Sequence, residues 1–326
     1  MQIFLNIVLL IIGFAALIKG ADFFVDGSAS LARTFRVPGV IIGLTIVALG
    51  TSAPELAVST SAAIGGSNEI ALSNVVGSNL FNLLMVLGIC ALIRPIPIDR
   101  GIIKRDFPLS IIASAAVLLG VGYALFTGDI PLSGTAMSDK VGMVDRPLSI
   151  GLLVVFVAYI AFLIYMARRH PTVESGEEAL PVWKSALLIL VGVACIVLGG
   201  NLVVDNAKSI AAAFGMSETL IGLTVVAFGT SLPELVTSIV ASRKGENGLA
   251  VGNVVGSNLF NLLFILGVSA TIHPIEVNFA SVIDLAILIA VSVITLLFAL
   301  TKKISRAEGV VMVLLYAATV TFAIIR

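Results

Sequence analysis

The chain has 326 residues, of which 59% are hydrophobic and only 12% are charged, and its formal net charge is zero. So few charged residues cannot cover the surface of a water-soluble globular domain of this length. The composition therefore excludes an ordinary soluble protein, and it offers no basic surface for a nucleic acid.

Apolar segments of about 20 residues, the length of helix that crosses a bilayer, recur along the whole chain. The predicted fold class is an all-α polytopic membrane protein with ten transmembrane helices. We expect the first and sixth helices to continue toward residues 32 and 211 as long, tilted helices, and Pro95 and Pro274 to act as helix stops. The ten spans lie near residues 3–19, 40–62, 69–93, 107–126, 148–167, 183–199, 219–241, 248–271, 281–300 and 307–325.

The basic residues are divided unequally between the two sides that ten spans define. One side receives only four of the 19 Lys and Arg residues, which are Lys140, Arg146, Lys208 and Arg326. Because the side richer in Lys and Arg faces the cytoplasm, we predict a multi-pass protein of the cytoplasmic (inner) membrane with both termini outside.

Two blocks of sequence occur twice. Residues 43–59 read GLTIVALGTSAPELAVS and residues 222–238 read GLTVVAFGTSLPELVTS. The block NVVGSNLFNLL stands at both 74–84 and 253–263. Both blocks return after 179 residues (222 − 43 and 253 − 74), so neither half carries an insertion between them.

This duplication predicts the organisation of the chain. Each half holds five spans, an odd number, so the second half must enter the membrane from the opposite side as an inverted repeat. We predict one five-helix repeat at 1–167 and another at 183–326, joined by a cytoplasmic linker at 168–182. The repeated motifs fall at 43–88 and 222–267, and an ion site is expected near the midplane where the repeats meet.

Each copy of the first block carries one glutamate, Glu55 or Glu234, in an otherwise apolar span. An ionisable residue inside a membrane is costly and marks ion or proton pathways. A proline precedes each glutamate, Pro54 or Pro233, and a proline within a helix frees the carbonyl four residues back. In a bilayer that carbonyl needs water, a neighbouring helix or a cation as its partner.

Residues three and four apart share one face of a helix, which places small and hydroxyl side chains beside each glutamate. The resulting surface of carboxylate, hydroxyl and carbonyl oxygens suits hard cations such as Na⁺ and Ca²⁺. A kinked helix with a protonated glutamate is the competing interpretation, and the duplicated hydroxyls disfavour it. The residues concerned are Ala48, Thr51, Ser52, Glu55 and Ser59 in the first copy and Ala227, Thr230, Ser231, Glu234 and Ser238 in the second.

The second block carries a polar stripe with a spacing of four residues. We interpret Asn74 and Asn253 as packing residues, and we expect Gly77 and Gly256 to let another backbone approach closely. An ion-lining role is predicted for the other members of the stripe, which are Ser78, Asn82, Ser257 and Asn261.

Two ionised glutamates that face each other carry a charge of −2 and repel, so at least one would protonate unless a cation binds. One Ca²⁺ would neutralise them, and two or more monovalent cations could occupy the same oxygens. Competition between ions for one site favours exchange over transport of a single ion.

The other acidic and thiol side chains of the spans are interpreted as structural. Asp26, Asp205 and Asp284 are predicted interfacial or helix-terminal acids, and Cys90 and Cys195 are predicted packing thiols. We therefore expect no enzyme activity and no cofactor. The expected partners are the transported ions Ca²⁺ and Na⁺ and the lipid bilayer, with no protein partner implied.

The pairs GTSAPE with GSNLFN and GTSLPE with GSNLFN resemble the two α-repeats of the cation/calcium exchanger superfamily, most closely its sodium/calcium exchanger branch. The resemblance covers almost the whole chain and suggests a prokaryotic member. It implies the ten-helix inverted-repeat fold and exchange of Na⁺ for Ca²⁺ by alternating access. It also implies that the first and sixth helices slide against the other eight.

The resemblance implies a role for each candidate ligand. Glu55 and Glu234 would be the central Ca²⁺ ligands, which Na⁺ shares. Thr51 and Thr230 would bind Ca²⁺ and Na⁺ largely through backbone oxygen. The remaining ligands would be the carbonyls of Ala48 and Ala227, the flanking Na⁺ ligands Ser52, Ser231, Ser78 and Ser257, and Asn82 and Asn261 nearer the middle.

The sequence departs from the family pattern in two places. The potassium-dependent branch carries aspartate at the position of Asn261, so asparagine argues against K⁺ co-transport. The linker at 168–182 has no room for the calcium-sensing insert of animal exchangers, so we expect no regulation of that kind.

Other functions stay open at this point. The nearest alternative is an antiporter of H⁺ and Ca²⁺, or of another divalent cation, in which the two glutamates titrate. The hydroxyl and amide oxygens around the glutamates favour Na⁺, because a proton needs no oxygen cage. An intramembrane enzyme would need a Ser/His, paired-Asp or metal constellation, which the spans lack. A passive channel would ignore the counter-ion gradient, and a receptor or structural protein would not explain the glutamates.

Overall fold

A computed structural model describes residues 2–65, 69–131, 135–169, 179–214 and 227–326. These residues are predominantly helical. The first half contains α1 Gln2–Phe35, α2 Gly39–Thr51, α3 Ala53–Ile64, α4 Ile70–Ile93, α5 Phe107–Val121, α6 Tyr123–Phe126 and α7 Arg146–Arg169. The second half contains α8 Val182–Ala213, α9 Ala227–Thr230, α10 Leu232–Arg243, α11 Asn247–Ile272, α12 Phe279–Ala299 and α13 Arg306–Ile325.

Seven of the described helices are long and apolar enough to cross a membrane, and the broken pair α2 and α3 raises the number to eight. These eight coincide with predicted spans. The helix predicted at 107–126 is interrupted, because α5 ends at Val121 and α6 follows it. The helix predicted at 219–241 begins outside the described residues. Ten spans therefore remain a prediction.

The predicted extension of the first and sixth helices is confirmed. Helix α1 continues to Phe35 and α8 to Ala213, so each is far longer than a bilayer requires. In both helices an apolar stretch is followed by a more polar one. Hydropathy alone therefore predicts helix ends near residues 19 and 199.

Both repeat motifs interrupt their helix one residue before the proline-containing turn. Helices α2 and α3 meet at Ser52, and α9 and α10 meet at Ser231, whose φ and ψ angles of −95° and 6° are not helical. Pro54 and Pro233 are the second residues of the helices that follow, a position where a missing N–H breaks no helical bond. The helix is thus interrupted beside the proline in both copies.

Helices α1 and α8 pack closely along a glycine contact. A Cβ on Gly20 would lie 2.9 Å from the carbonyl oxygen of Gly192, and one on Gly199 would lie 2.8 Å from that of Gly13. Because low numbers on one helix meet high numbers on the other, the two helices run antiparallel. Gly13 and Gly192 are repeat equivalents, as are Gly20 and Gly199 (192 − 13 and 199 − 20).

A second pair of glycine contacts also repeats. Gly88 on α4 packs on α13, where a Cβ would lie 3.2 Å from the carbonyl oxygen of Gly309. Its equivalent, Gly267 on α11, packs on α7, where a Cβ would lie 3.2 Å from the carbonyl oxygen of Ser149. Each repeat motif helix is thereby fixed against the last helix of one half.

Four short strands lie among the described residues: β1 Ile96–Pro97, β2 Lys140–Val144, β3 Ile275–Asn278 and β4 Lys303–Ile304. Strand β1 pairs antiparallel with β4, and β2 pairs antiparallel with β3. Helix α4 ends at Ile93 and α11 at Ile272, directly before Pro95 and Pro274. The predicted helix stops are confirmed, and the chain is extended beyond each of them.

The chain divides into two compact units, Met1–Pro54 with Ile164–Val254 and Glu55–Leu163 with Val255–Arg326. Each unit draws elements from both halves of the sequence. The core of the first unit includes Phe24, Ile196 and Leu249, all buried. The second unit contains both strand pairs and the packing of α13 on α4.

Candidate ion-binding site

Glu55 lies on α3 in the second unit, and its side chain is fully buried. The hydroxyl of Ser78 donates to Glu55 Oε1 at 3.4 Å. The Nδ2 of Asn74 donates to Ser59 Oγ at 3.0 Å and to the backbone oxygen of Glu55 at 3.4 Å. Glu55, Ser59, Asn74 and Ser78, named the Glu55 cluster, join α3 to α4 through these hydrogen bonds.

Glu234 lies on α10 in the first unit and is also fully buried. The hydroxyl of Ser52 donates to Glu234 Oε1 at 3.0 Å. The Nδ2 of Asn253 donates to Ser238 Oγ at 3.0 Å and to the backbone oxygen of Glu234 at 3.4 Å. The Asn–Ser and Asn–carbonyl distances of this Glu234 cluster equal those of the Glu55 cluster. These hydrogen bonds agree with the packing role predicted for Asn74 and Asn253.

The hydroxyl of Thr51 is committed to a hydrogen bond inside the protein. Because the Nδ2 of Asn253 faces the carbonyl of Glu234, which can only accept, the Oδ1 of Asn253 must face the other way. Thr51 Oγ1 donates to that Oδ1 at 2.9 Å. A donating hydroxyl keeps its lone pairs, so binding of an ion through the backbone oxygen of Thr51 stays a prediction.

Replacing Asn253 by alanine is expected to lower the free energy of unfolding by about 1–3 kcal/mol, because the change leaves buried polar groups without partners. Thermal unfolding in detergent, followed by intrinsic fluorescence, measures the effect. Asn206→Ala is the matched control, since Asn206 is a buried residue of the same unit whose amide donates to Leu202 of its own helix. Equal shifts for the two variants would contradict the packing role.

The other residues predicted around the glutamates lie at the helix breaks. The carbonyl of Ala48 accepts from the N–H of Ser52 at 3.0 Å. Ser231 is fully buried at the start of α10, and Thr230 is half-buried at the end of α9. The hydroxyl of Thr230 has no hydrogen-bond partner within the described part of the chain. Ala227 begins α9, and its side chain lies outside the described residues.

Asn82 and Asn261 lie at equivalent positions in two π-helical segments, Phe81–Val86 within α4 and Phe260–Ile265 within α11. Such segments are frequent at functional sites. Both asparagines are fully buried. Among the residues described, neither amide atom of Asn82 has a hydrogen-bond partner. The Oδ1 of Asn261 has none there either. A buried amide oxygen without a donor is able to accept a cation.

The remaining members of the polar stripe behave differently from one another. Ser78 belongs to the Glu55 cluster, and Ser257 is fully buried on α11.

The expectation that Gly77 admits a close backbone is wrong, because a Cβ on Gly77 would meet nothing within 4 Å. Gly77 lies about 100° around the helix from Ser78, away from the face that packs on α3.

Sequence reasoning missed Asn79 and Asn258, which follow the stripe residues Ser78 and Ser257. Both are buried, and the amide nitrogen of each donates to the backbone carbonyl of the other, at 3.2 and 3.3 Å. The signal was present, because both asparagines stand in the block that repeats letter for letter. Both fall outside the four-residue spacing of the polar stripe.

The acids predicted to lie at interfaces pair with basic side chains. Asp26 accepts from Lys244 at 2.7 Å, Asp205 lies 3.8 Å from Lys208, and Asp284 accepts from Arg326 at 2.5 Å. Asp205 is largely exposed and Asp26 is half-exposed. These contacts agree with structural roles for all three.

A multi-pass helical chain with duplicated broken helices, each carrying a buried glutamate that accepts a hydrogen bond from a serine hydroxyl, resembles the architecture of secondary cation transporters. A family model described as sodium/calcium exchanger protein matches residues 5–165 and 184–325. The chain belongs to this family of membrane antiporters, as its α-repeat motifs predicted.

Individual relatives agree with the family match. The chain is 36% identical over 322 residues to the putative antiporter CaxA of Alkalimonas amylolytica, with 95% of each chain covered. It is 35% identical over 318 residues to the inner membrane protein YrbG of Escherichia coli (strain K12), covering 93% of this chain and 91% of YrbG. The sodium-calcium exchanger NCX_Mj, soaked with 2.5 mM Na⁺ and 10 mM Sr²⁺, superimposes with a TM-score of 0.82 at 30% identity, covering 98% of this chain and 99% of NCX_Mj.

Proposed function

We propose that this protein exchanges Na⁺ for Ca²⁺ across the cytoplasmic membrane by alternating access, at a midplane site built on Glu55 and Glu234. The observation that carries the proposal is the repeated geometry of the two clusters. In each, an asparagine donates to a serine hydroxyl and to the backbone oxygen of a fully buried glutamate at the same distances. Each glutamate also accepts from a serine hydroxyl, although these two serines, Ser78 and Ser52, are not repeat equivalents. The similarity to NCX_Mj, a sodium-calcium exchanger, supports the choice of ions.

The chemistry of exchange follows from the charge of the two carboxylates. Two buried carboxylates are stable in the ionised form only when a cation compensates them. One Ca²⁺ supplies the required charge in one step, and Na⁺ ions supply it in several. Because both ions use the same oxygens, occupation by one excludes the other, and the protein carries each ion in turn.

The serine hydroxyls can change role when an ion enters. Ser78 and Ser52 donate to carboxylate oxygens in this structure. A hydroxyl rotates freely, so either serine can turn its hydrogen away and offer a lone pair to a cation. We propose that both do so, together with Ser231 and Ser257 as flanking Na⁺ ligands. The further proposed ligands are the backbone oxygens of Thr51, Thr230, Ala48 and Ala227 and the amide oxygens of Asn82 and Asn261.

We also propose the organisation predicted from the duplication, with inverted repeats at 1–167 and 183–326, a cytoplasmic linker at 168–182 and both termini outside. The antiparallel packing of the equivalent helices α1 and α8 supports inversion. The similarity to an inner membrane protein of E. coli supports the cytoplasmic membrane as the location. Because Gly13, Gly20, Gly192 and Gly199 join α1 and α8 closely, the two helices can move as one piece during alternating access.

Uptake of radioactive Ca²⁺ into Na⁺-loaded proteoliposomes is expected only when the external buffer lacks Na⁺. Dilution into choline and into K⁺ buffer should give equal rates, because Asn261 provides no carboxylate for K⁺. A separate arm imposes a pH gradient with no Na⁺ on either side. Uptake that follows the pH gradient would replace Na⁺ by H⁺ as the coupled ion. Uptake indifferent to both gradients would overturn the exchanger assignment in favour of a channel.

A further inference from the structure

We propose that Asn79 is a positioning residue that fixes the side-chain amide of Asn261, so that Asn261 presents its oxygen to a bound cation. The inference rests on the proposed function, because it concerns one ligand of that ion site. Asn79 and Asn261 lie in the same unit, on α4 and in the π segment of α11, and both are fully buried.

The orientation of the Asn79 amide is set by its backbone partner. The Nδ2 of Asn79 lies 3.2 Å from the carbonyl oxygen of Asn258. A carbonyl oxygen accepts and cannot donate, so the nitrogen of Asn79 must face it. The oxygen of the Asn79 amide is thereby turned to the opposite side.

That oxygen sets the orientation of Asn261 in turn. Asn79 Oδ1 lies 3.1 Å from the Nδ2 of Asn261. Because Oδ1 is an acceptor, the group that faces it must be the N–H of Asn261 and not its oxygen. The backbone carbonyl of Asn258 therefore determines the direction of two side-chain amides in succession.

The consequence for an ion lies at the other end of the Asn261 amide. Its Oδ1 is buried and has no hydrogen-bond partner within the described residues. An amide that presents oxygen is a cation ligand, whereas one that presents its two N–H bonds repels a cation. Within the described residues, the hydrogen bond to Asn79 is what distinguishes the two orientations of the Asn261 amide.

The equivalent arrangement in the other repeat is incomplete. Asn258 donates to the carbonyl of Asn79 at 3.3 Å, which reproduces the first link. The second link is absent among the described residues, because Asn258 Oδ1 and both amide atoms of Asn82 have no hydrogen-bond partner there. Asn79 and Asn258 thus share their packing contact, and only Asn79 holds an ion-site amide. Asn258 is therefore a matched control.

The experiment measures the external Ca²⁺ concentration that gives half-maximal Na⁺-driven uptake. Asn79→Ala is expected to raise this concentration by about fivefold or more, the effect of one lost hydrogen bond of ordinary strength. Asn258→Ala removes the same helix contact and should stay close to the parent protein. In a background of Asn261→Ala, the effect of Asn79→Ala should disappear, since residues that act through one another are not additive.

The proposal is overturned if Asn79→Ala and Asn258→Ala shift the half-maximal concentration equally, or if Asn79→Ala and Asn261→Ala act additively. Should Asn79→Ala fail to assemble, Asn79→Ser is compared with Asn258→Ser, since a serine side chain is too short to bridge Asn258 and Asn261. Calorimetric titration of the purified variants with Ca²⁺ gives the same comparison without any Na⁺ gradient. Parent uptake that does not depend on Na⁺ would defeat the proposed coupling, while the titration would still decide on Asn79.

Discussion

Glu55→Gln and Glu234→Gln are each expected to reduce Na⁺-driven Ca²⁺ uptake by at least about 100-fold, because a buried charge that loses its partner costs roughly 3 kcal/mol or more. Glutamine keeps the size of the side chain, so the packing of each cluster is preserved. It replaces one carboxylate oxygen by an N–H donor and removes the negative charge. One remaining carboxylate cannot neutralise Ca²⁺.

The matched control for these variants is Glu276→Gln. Glu276 lies on β3, is half-exposed and forms an ion pair with Lys140. It should retain uptake, which would show that the loss depends on the position of the charge and not on its number. Size-exclusion profiles of all variants exclude misfolding as the cause. Uptake above about a tenth of the parent rate in either repeat variant would contradict the central role of the glutamates.

Gly20→Val and Gly192→Val are expected to lower the free energy of unfolding by about 1–3 kcal/mol each, the usual cost of inserting carbon atoms into a closely packed contact. A Cβ on Gly192 would lie 2.7 Å from the backbone nitrogen of Phe24 and 2.8 Å from the carbonyl oxygen of Gly20. Backbone atoms cannot rotate away as a side chain can. Helices α1 and α8 must therefore separate, and uptake should fall with stability.

Thermal unfolding and Ca²⁺ uptake are measured together for these variants. Gly151→Val on α7 is the control, because a Cβ on Gly151 would meet nothing within 4 Å. It introduces the same side chain into a helix of similar character without a collision. If valine at Gly20 is tolerated as well as valine at Gly151, the close contact of α1 and α8 is not required.

Local rules predicted much of this structure. A proline near each glutamate predicted a disturbed helix, which the structure interrupts at Ser52 and Ser231, and Pro95 and Pro274 predicted where α4 and α11 end. Spacing by four predicted the Asn74 and Ser78 face of α4. These features follow from the chemistry of one helix at a time, and the duplication tested each of them twice.

Contacts between helices could not be predicted in the same way. Asn79 and Asn258 point at each other's backbone, and no spacing within one helix reports such a partner. Gly77 shows the converse, since a small residue beside a polar stripe was expected at a close contact and lies in open space. The sequence of the second block therefore predicted neither the contact between Asn79 and Asn258 nor the surroundings of Gly77.

The π segments that contain Asn82 in α4 and Asn261 in α11 carry a further consequence. A π turn contains one more residue than an α turn, so every side chain beyond it is rotated by about 100° relative to an uninterrupted α-helix. Asn79 and Gly88, which packs on α13, are nine residues apart, so an uninterrupted α-helix would point them about 180° apart, and the π turn of α4 reduces this angle to about 80°. Winding Phe81–Val86 as regular α turns without changing its length would turn Gly88 by about 100° away from Gly309, whereas deleting one residue from the segment would leave the direction of Gly88 unchanged. The extra residue of each π segment therefore sets the angle about the helix axis between the polar amides and the glycine contact.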